Sequence, residues 1–473
     1  MKQQPLAWQH SNKYKKDLHM YTTTSLEEQN ALYKNMLPSW KFYMNSFQGG
    51  DVYKAESYLT RYKFETDADY TKRVKQTPLD NHCASIVQIY TSFIYTEAPT
   101  RQYGVLSNDI MFADFLEDAD RDGRSWNQFI KQASILASVY GHTWVIVDRP
   151  NTEVTTKQDE IDNGIRPYVS LITPPNVTDW KYSRLDNGVY ELSMLKTLIH
   201  KDDDSSIYKI YYKDRTDTVV LSGETITTES VPNPYNKITA VPLYAQRGLQ
   251  PGTSISDIAD VADMQRAIFD ENSEIEQIIR LSSHPSLAKT ADTRVGSGAG
   301  GIVEMPTDLD PGLKPYLLQP TSASLDSIRN AITDKVSSIN RMANVGAVRA
   351  IESKTMSGVA LETEFRLLNS RLSEKADNLE LAEEQIFQLI STMSGSNWDG
   401  IIEYPNSFNT RDKYNDLQFY QQALASGIDS ELFKKGMQKK IVALMFNTNE
   451  NIDDILSDID NTATFTTDGL ISE

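Results

Sequence analysis

A single cysteine, Cys83, stands in a chain of 473 residues. It cannot form an internal disulfide and supports no thiolate metal cluster, which fits synthesis in a reducing compartment. Long apolar runs are missing too. None approaches the roughly 18 residues that a membrane span needs, and mean hydropathy is -0.47. The opening "MKQQPLAWQHSNKYKKDLHMY" has no apolar core followed by small residues, so it does not read as a secretory signal. The six histidines (His10, His19, His82, His142, His200, His284) are scattered, and none has a partner four residues on. There is no HExxH, no GxxxxGK[ST] phosphate loop and no GxSxG elbow. The chain is therefore not expected to be an enzyme, and no catalytic residue, metal ligand or cofactor is assigned. Positive charge is also short: 47 Lys and Arg against 65 Asp and Glu leave a net charge of -18. That balance argues against tight, sequence-blind nucleic-acid binding, which is driven by cations neutralising phosphates. It leaves room for a protein that DNA must pass without sticking.

What is present is ordinary globular composition, with 39% hydrophobic and 24% charged residues and length enough for several domains. Three spellings deserve weighing. "GSGAGG" (Gly296 to Gly301) copies a dinucleotide fingerprint, but "IVEMPTDLDPG" follows it where a helix should open, so it reads as a hairpin tip. "DADRDG" (Asp118 to Gly123) copies the first half of a calcium loop, but the position of the bidentate glutamate holds Phe129, so it reads as an acidic turn. "KKGMQKK" places Lys434, Lys435, Lys439 and Lys440 on one helix, either as a solvated face or as a contact to nucleic acid or an acidic neighbour. Asp202, Asp203 and Asp204 read as a solvated hairpin turn, and Cys83 as packing in a buried helix.

Periodicity gives the order of elements. "SLEEQNALYKNMLPSWKFYMNSF" predicts a helix interrupted at Pro38, and "DADYTKRVKQTPLDNHCASIVQIYTSFIYTEAP" two helical pieces around Pro78, the second buried. "SWNQFIKQASILASVYG" predicts a helix capped by Ser125 and ended by Gly141, with the strand "HTWVIVDRP" after it. Strands are expected at "PYVSLITP", "VYELSMLKTLIH", "SSIYKIYYK" and "DTVVLS". From about Ser254 the pattern is helical, with Ile258, Val261, Ile268 and Ile275 at near-heptad spacing up to Pro285. A Gly- and Pro-rich module follows. A second helix carries Ile328, Ile332, Val336 and Ile339 on one face, and the longest helix runs from about Gly358 to Ile390. "WDGIIEYPNSF" predicts a return strand, two more helices follow, and the stretch from Glu450, with seven acids and no base, is expected to be mobile. The two helices around the small module must pair to hold it away from the body. Their apolar faces are expected to be covered by identical pairs in a ring.

Three stretches carry a resemblance: "FETDADYTKRVKQTPLDNHCASIVQIYTSFIYTEAP", "ASVYGHTWVIVDRP" and "TMSGVALETEFRLLNSRLSEKADNLELAEEQI". Together with the element order over about Tyr58 to Ala443, they resemble the portal proteins of tailed bacteriophages. The resemblance implies an α+β portal-type fold. Its wing is an α/β part over 1–254 with the long helix and return strand over 358–409. Its stem helices are 255–281 and 324–348, its clip a small α/β module over 282–323, and its crown helical over 410–446. An acidic tail, 447–473, comes last. It also implies a homo-oligomeric ring, typically of twelve, at one vertex of the virion capsid, made in the host bacterial cytoplasm and without a membrane. Double-stranded DNA would pass its channel during packaging and ejection. Its partners would be the terminase large subunit, then a head-tail adaptor, with the major capsid protein and a scaffold around it.

Carried onto this chain, the tunnel loop falls at 349–357, with Arg349, Glu352, Ser353, Lys354, Thr355 and Ser357 as channel residues. Arg349 and Lys354 would be its mobile cations; the alternative is ordinary solvated charge. Ile258, Val261, Ile268, Ile275, Ile328, Ile332, Val336 and Ile339 would form the stem interface. Arg294, Gly296, Gly298, Gly301 and Lys314 would form the docking clip, and the four lysines the basic part of the crown. Two other classes stay open. One is an oligomeric interaction protein with a helical stalk, which should be continuous where this one is broken at Pro285. The other is a nucleic-acid enzyme, which would need a carboxylate cluster or phosphate loop that is not visible.

Overall fold

The computed structural model describes residues 21–150, 156–283, 286–291, 293–295, 303–308, 310–318, 322–349, 358–405, 408, 413–425, 428, 430–445 and 452–461. The chain divides into two compact units, Met1–Phe408 and Asn409–Glu473.

The first unit opens on α1 (Thr23–Glu27), set by a capping box in which Thr22 Oγ1 accepts from Ser25 N at 3.2 Å and Ser25 Oγ accepts from Thr22 N at 2.9 Å. Asn30 then caps a separate helix, α2 (Ala31–Gln48), which runs straight through Pro38. The expected interruption does not occur. Proline costs the helix one donor, but Tyr33 and Trp40 on either side are buried in a shared core and hold the turn in place. After α3 (Gly50–Ala55), the two pieces around Pro78 are α4 (Asp67–Gln76) and α5 (His82–Ile94). Cys83, Ile86, Val87, Tyr90 and Ile94 of α5 are all fully buried. A short strand β1 (Thr100–Gln102) and α6 (Ile110–Glu117) lead to α7 (Trp126–Tyr140). Ser125 and Gln128 form its capping box and Gly141 ends it at φ 93°.

Gly141 is required twice over. Its φ belongs to the left-handed region, and a Cβ there would lie 2.5 Å from Ser254 Oγ and 3.0 Å from the Ile255 carbonyl carbon. Gly141→Ala should therefore destabilise the first unit by about 1–3 kcal/mol, read from a denaturant titration; an unchanged midpoint would show that the α7–β2 corner relaxes freely.

The strand after Gly141, β2 (His142–Asp148), is central in an antiparallel three-stranded sheet. Helix α8 (Lys157–Asp162) and β3 (Tyr168–Ile172) follow, then a five-stranded meander of β4 (Val177–Arg184), β5 (Tyr190–Lys201), β6 (Ser205–Tyr211), β7 (Arg215–Ser222) and β8 (Thr225–Pro232). The chain returns as β9 (Ala240–Tyr244) beside β2, with Pro242 opposite Trp144. Pro242 is tolerated because β9 is an edge strand of that sheet. Between β5 and β6, Asp202 Oδ1 accepts from Asp204 N at 3.0 Å and Ser205 N at 2.6 Å, which makes the acidic run a tight turn. The calcium-like turn is likewise closed on itself. Asp118 accepts from Gly123 N at 2.9 Å and pairs with Arg166 at 2.8 Å, and Asp120 pairs with Arg124.

A short pair, β10 (Gln246–Arg247) and β11 (Ser254–Ile255), precedes α9 (Ala259–Ser283), so the helix starts later than its apolar pattern. The intervening module holds β12 (Ser286–Ala288), β13 (Arg294–Val295), β14 (Val303–Glu304) and β15 (Tyr316–Leu318), paired antiparallel as β12–β15 and β13–β14. Next come α10 (Ser322–Met342), α11 (Gly346–Arg349) and α12 (Gly358–Met393). The 36 residues of α12 span about 54 Å at 1.5 Å per residue. Its chain then returns as β16 (Ile401–Glu403), antiparallel to β1.

The second unit contains α13 (Lys413–Leu424), α14 (Glu431–Met445) and α15 (Ile452–Asn461), with α15 packed on α14. Helix α15 lies inside the 447–473 stretch that was expected to be a mobile acidic tail. Ile452, Ile455, Leu456 and Ile459 sit at helical spacing inside the acidic run, and composition alone hid them.

Candidate functional site

Helices α9 and α10 run as a pair, joined by an ion pair between Lys335 and Glu271. One end of the pair is rooted in the body. Ile258 and Ile339 are fully buried, and Val261 and Ile268 are within 2% of it. Gln265, also buried, donates to Ser46 O at 3.0 Å and accepts from Cys83 N at 2.9 Å. These four apolar residues were expected to face neighbouring subunits; they belong to the chain's own core instead. The reason is that α2, α4 and α5 pack on α9 and Ile339 joins the same core, so the chain itself supplies the covering surface that periodicity could not place. Ile275, Ile328, Ile332 and Val336 are only half-buried, with Ile332 and Val336 at the margin of the main core.

A clamp holds α4 and the loop before it on α9. Arg73, almost fully buried, makes two bonds of 2.7 Å to Glu65, one of 2.7 Å to Thr60 O and one of 2.9 Å to Ser273 Oγ. Glu65 is held below the usual carboxylate range chiefly by Arg73.

The other end of the pair carries the small module, and it is bare. Leu287, Val303, Met305, Leu313, Tyr316 and Leu317 are 39–58% exposed, and Leu287 lies opposite Leu317 across the β12–β15 ladder. This is a dense set of exposed large apolar side chains for so small a module. Arg294 and Lys314 are exposed here. Gly296, Gly298 and Gly301 lie outside the described residues, between the two paired strands β13 and β14.

After α10, Tyr90 Oη donates to Ala343 O at 2.6 Å and fixes the turn into α11. Arg349 ends α11 and is not a free loop cation. It is half-buried, and its Nη2 lies 2.9 Å from His82 Nδ1. Because guanidinium only donates, Nδ1 accepts, and the imidazole proton sits on Nε2. Burial, then the Arg349 charge, pushes the His82 pKa down, and burial lowers that of Arg349. Arg349 Nη1 and His82 Nε2 are both buried without a partner among the described residues. Glu352, Ser353, Lys354, Thr355 and Ser357 lie outside the described residues.

Two buried charge clusters fix α12. Lys375 Nζ donates to Asp257 Oδ2 at 2.5 Å and Ser138 Oγ at 2.9 Å, with Arg371 3.5 Å from the same carboxylate. Further along, Glu383 is fully buried and receives Arg101 through two bonds of 2.6 and 2.8 Å, Trp126 Nε1 at 3.1 Å and the Tyr404 hydroxyl. Periodicity missed these anchors, yet a signal was there. Lys375 and Glu383 fall on the same stripe as Leu372, Leu379 and Ile386, where a solvated charge has no place.

In the second unit, Lys434, Lys435 and Lys439 of α14 are half-buried and Lys440 is exposed. Among the described residues no group of three or more His, Cys, Asp or Glu could hold a metal ion, and no helix is long and apolar enough to cross a membrane.

No family model and no curated protein matches the chain. Among solved structures it is similar to a chain in the neck of an empty GTA particle computed with C6 symmetry. The TM-score is 0.45 and the identity 10%, over 81% of this chain and 96% of that one. A chain in the neck of the native GTA particle computed with C12 symmetry gives 0.42 and 10%, over 82% and 98%. A chain in the virion of the native gene transfer agent (GTA) particle gives 0.41 and 8%, over 80% and 95%.

Proposed function

We propose that this chain is the subunit of a portal ring, a non-enzymatic conduit for double-stranded DNA at one vertex of a phage capsid. The observation that carries the reading is the helix pair α9/α10. It is rooted in the body at one end and bears an unpartnered apolar module at the other. It leads through α11 and residues 350–357 into a 36-residue helix pinned by buried charges. In a portal these parts are stem, clip, tunnel loop and wing helix. The bare clip suits docking by a terminase motor and then by an adaptor.

With Arg349 tied to His82, the tunnel role falls to Glu352, Ser353, Lys354, Thr355 and Ser357. With four stem isoleucine and valine positions inside the chain's own core, the interface between copies falls to the half-buried Ile275, Ile328, Ile332 and Val336 and to surfaces elsewhere. The net charge of -18 suits a wall past which phosphates must slide, since each neutralised phosphate adds affinity and drag.

Negative-stain microscopy and light scattering of the purified chain test this. Closed rings, twelve-membered and with a central hole wide enough for a duplex, are the expected result. A chain that stays monomeric at every concentration, or that turns over ATP in step with its purification, overturns the proposal.

A further inference from the structure

A ring of copies that each carry a net charge of -18 has to overcome its own repulsion. It needs a local basic face to set against an acidic one. A heterologous interface, in which two different faces of the same chain meet, is the arrangement that can use such a pair. The first unit contains both.

The basic face is built around Phe64, which is 90% exposed. Its loop is not loose. The Arg73 clamp grips Glu65 beside it, and Tyr62 Oη donates to Glu274 of α9 at 2.7 Å. The ring is thus presented to solvent by a fixed frame, with Lys63 Nζ 5.5 Å above its centroid. Lys72 and Lys75 are exposed on the neighbouring α4, and neither has a carboxylate partner among the described residues. Phe64, Lys63 and Lys72 border an open cleft of about 450 Å³ that Arg280 of α9 also lines, with Asp69 and the clamped Glu65 on its wall.

The acidic face lies on α12 and β16. Asp377, Glu380 and Glu384 follow one another at three and four residues along the helix, and Glu403 is close by on β16. Among the described residues no cation pairs with any of them; Glu380 accepts only from Tyr404 N, at 2.6 Å. Leu381, 37% exposed, sits within this group. Burial, and then the charges of Asp377, Glu384 and Glu403, raise the Glu380 pKa, so the cluster is held together against its own repulsion. Each face therefore sets an exposed apolar side chain among charges that are mainly basic on the one and acidic on the other.

We propose that the Phe64 face of one copy, with Lys63, Lys72 and Lys75, docks on the Asp377–Glu384 face of α12 in the next copy. The inference rests on the ring reading and specifies one of its contacts. Phe64 then packs beside Leu381, and the lysines neutralise a cluster that pairs with no cation among the described residues.

Charge reversal tests it. Lys72→Glu with Lys75→Glu should raise the concentration for half-assembly by about tenfold at low salt, because a few attractive pairs become repulsive. The melting temperature of the chain should stay the same, since both sites are exposed. Adding Asp377→Lys and Glu384→Lys in the same chain should restore assembly. Both effects should shrink at high salt. Rings of unchanged affinity in the double variant, or a four-site variant that does not recover, overturn the contact and leave the ring reading standing. A wild-type chain that forms no rings overturns the ring reading itself.

Discussion

Glu383→Ala lowers the stability of the first unit by about 3–5 kcal/mol, because it breaks a buried ion pair from one side. Glu383 is fully buried and Arg101 is 6% exposed at its side chain. Burial alone would lower the Arg101 pKa. The bonds and charge of Glu383 outweigh that and hold it above its ordinary value. Without the carboxylate, the guanidinium stays inside with Asn127 and Tyr404 as its remaining side-chain partners among the described residues, and Trp126 Nε1 loses its acceptor. The loss should spread along α12, since the same carboxylate takes Tyr404 from the strand segment that follows β16. Replacing the pair together, Arg101→Met with Glu383→Leu, should cost far less, because no charge is left stranded. Denaturant titration of the three proteins separates the cases. A loss below about 1 kcal/mol in the single variant would mean that water reaches Arg101.

Acid should unfold the same unit through His142. Its ring is completely enclosed, with Trp40, Trp144 and Tyr244 around it, and burial pushes its pKa from 6.5 down to about 3. The unfolded chain takes up a proton below pH 6.5, while the folded chain resists it until about pH 3. Stability is therefore full above the unfolded value and falls as pH drops through that window. The total is on the order of 4–5 kcal/mol. His142→Asn can keep a polar contact to Ser254, which lies 2.7 Å from Nδ1, and should flatten this part of the pH profile. His82 has the same sign, through burial and then Arg349, so some slope remains in the variant. Equal slopes in variant and wild type between pH 6 and 4 would exclude His142 as the acid-sensitive group.

The sequence made much of the fold legible where one local signal sufficed. The Ser125 cap, the Gly141 stop and the breaks at Pro78 all fell where the side chain itself dictates the turn. The return strand was legible from its short apolar run, and the helix pair from its repeat. Strands β4, β8 and β9 escaped because edge strands need no apolar alternation and β9 carries Pro242. Pro38 misled because tertiary burial of Tyr33 and Trp40 outweighs a lost donor. The site was harder. Periodicity says that Ile258, Val261, Ile268 and Ile339 need covering, but not by what, and the cover is this chain's own helices. The tie from Arg349 to His82 joins residues 267 apart in sequence, a distance no window reaches.

The helix pair that is rooted at one end and bare at the other has a consequence for the order in which the molecule folds and opens. Lys335 and Glu271 meet across 64 residues of chain, so the pair must close a long loop before the module between them gains any neighbours. The rooted turns near Ile258 and Ile339 draw on the main core; the β12–β15 ladder pairs three residues a side, with Leu287, Tyr316 and Leu317 left exposed. Opening the tip therefore costs only the tip's own contacts, and the body need not yield. On the proposed reading, that end is the part a docking partner could remodel while the rest of the chain keeps its shape.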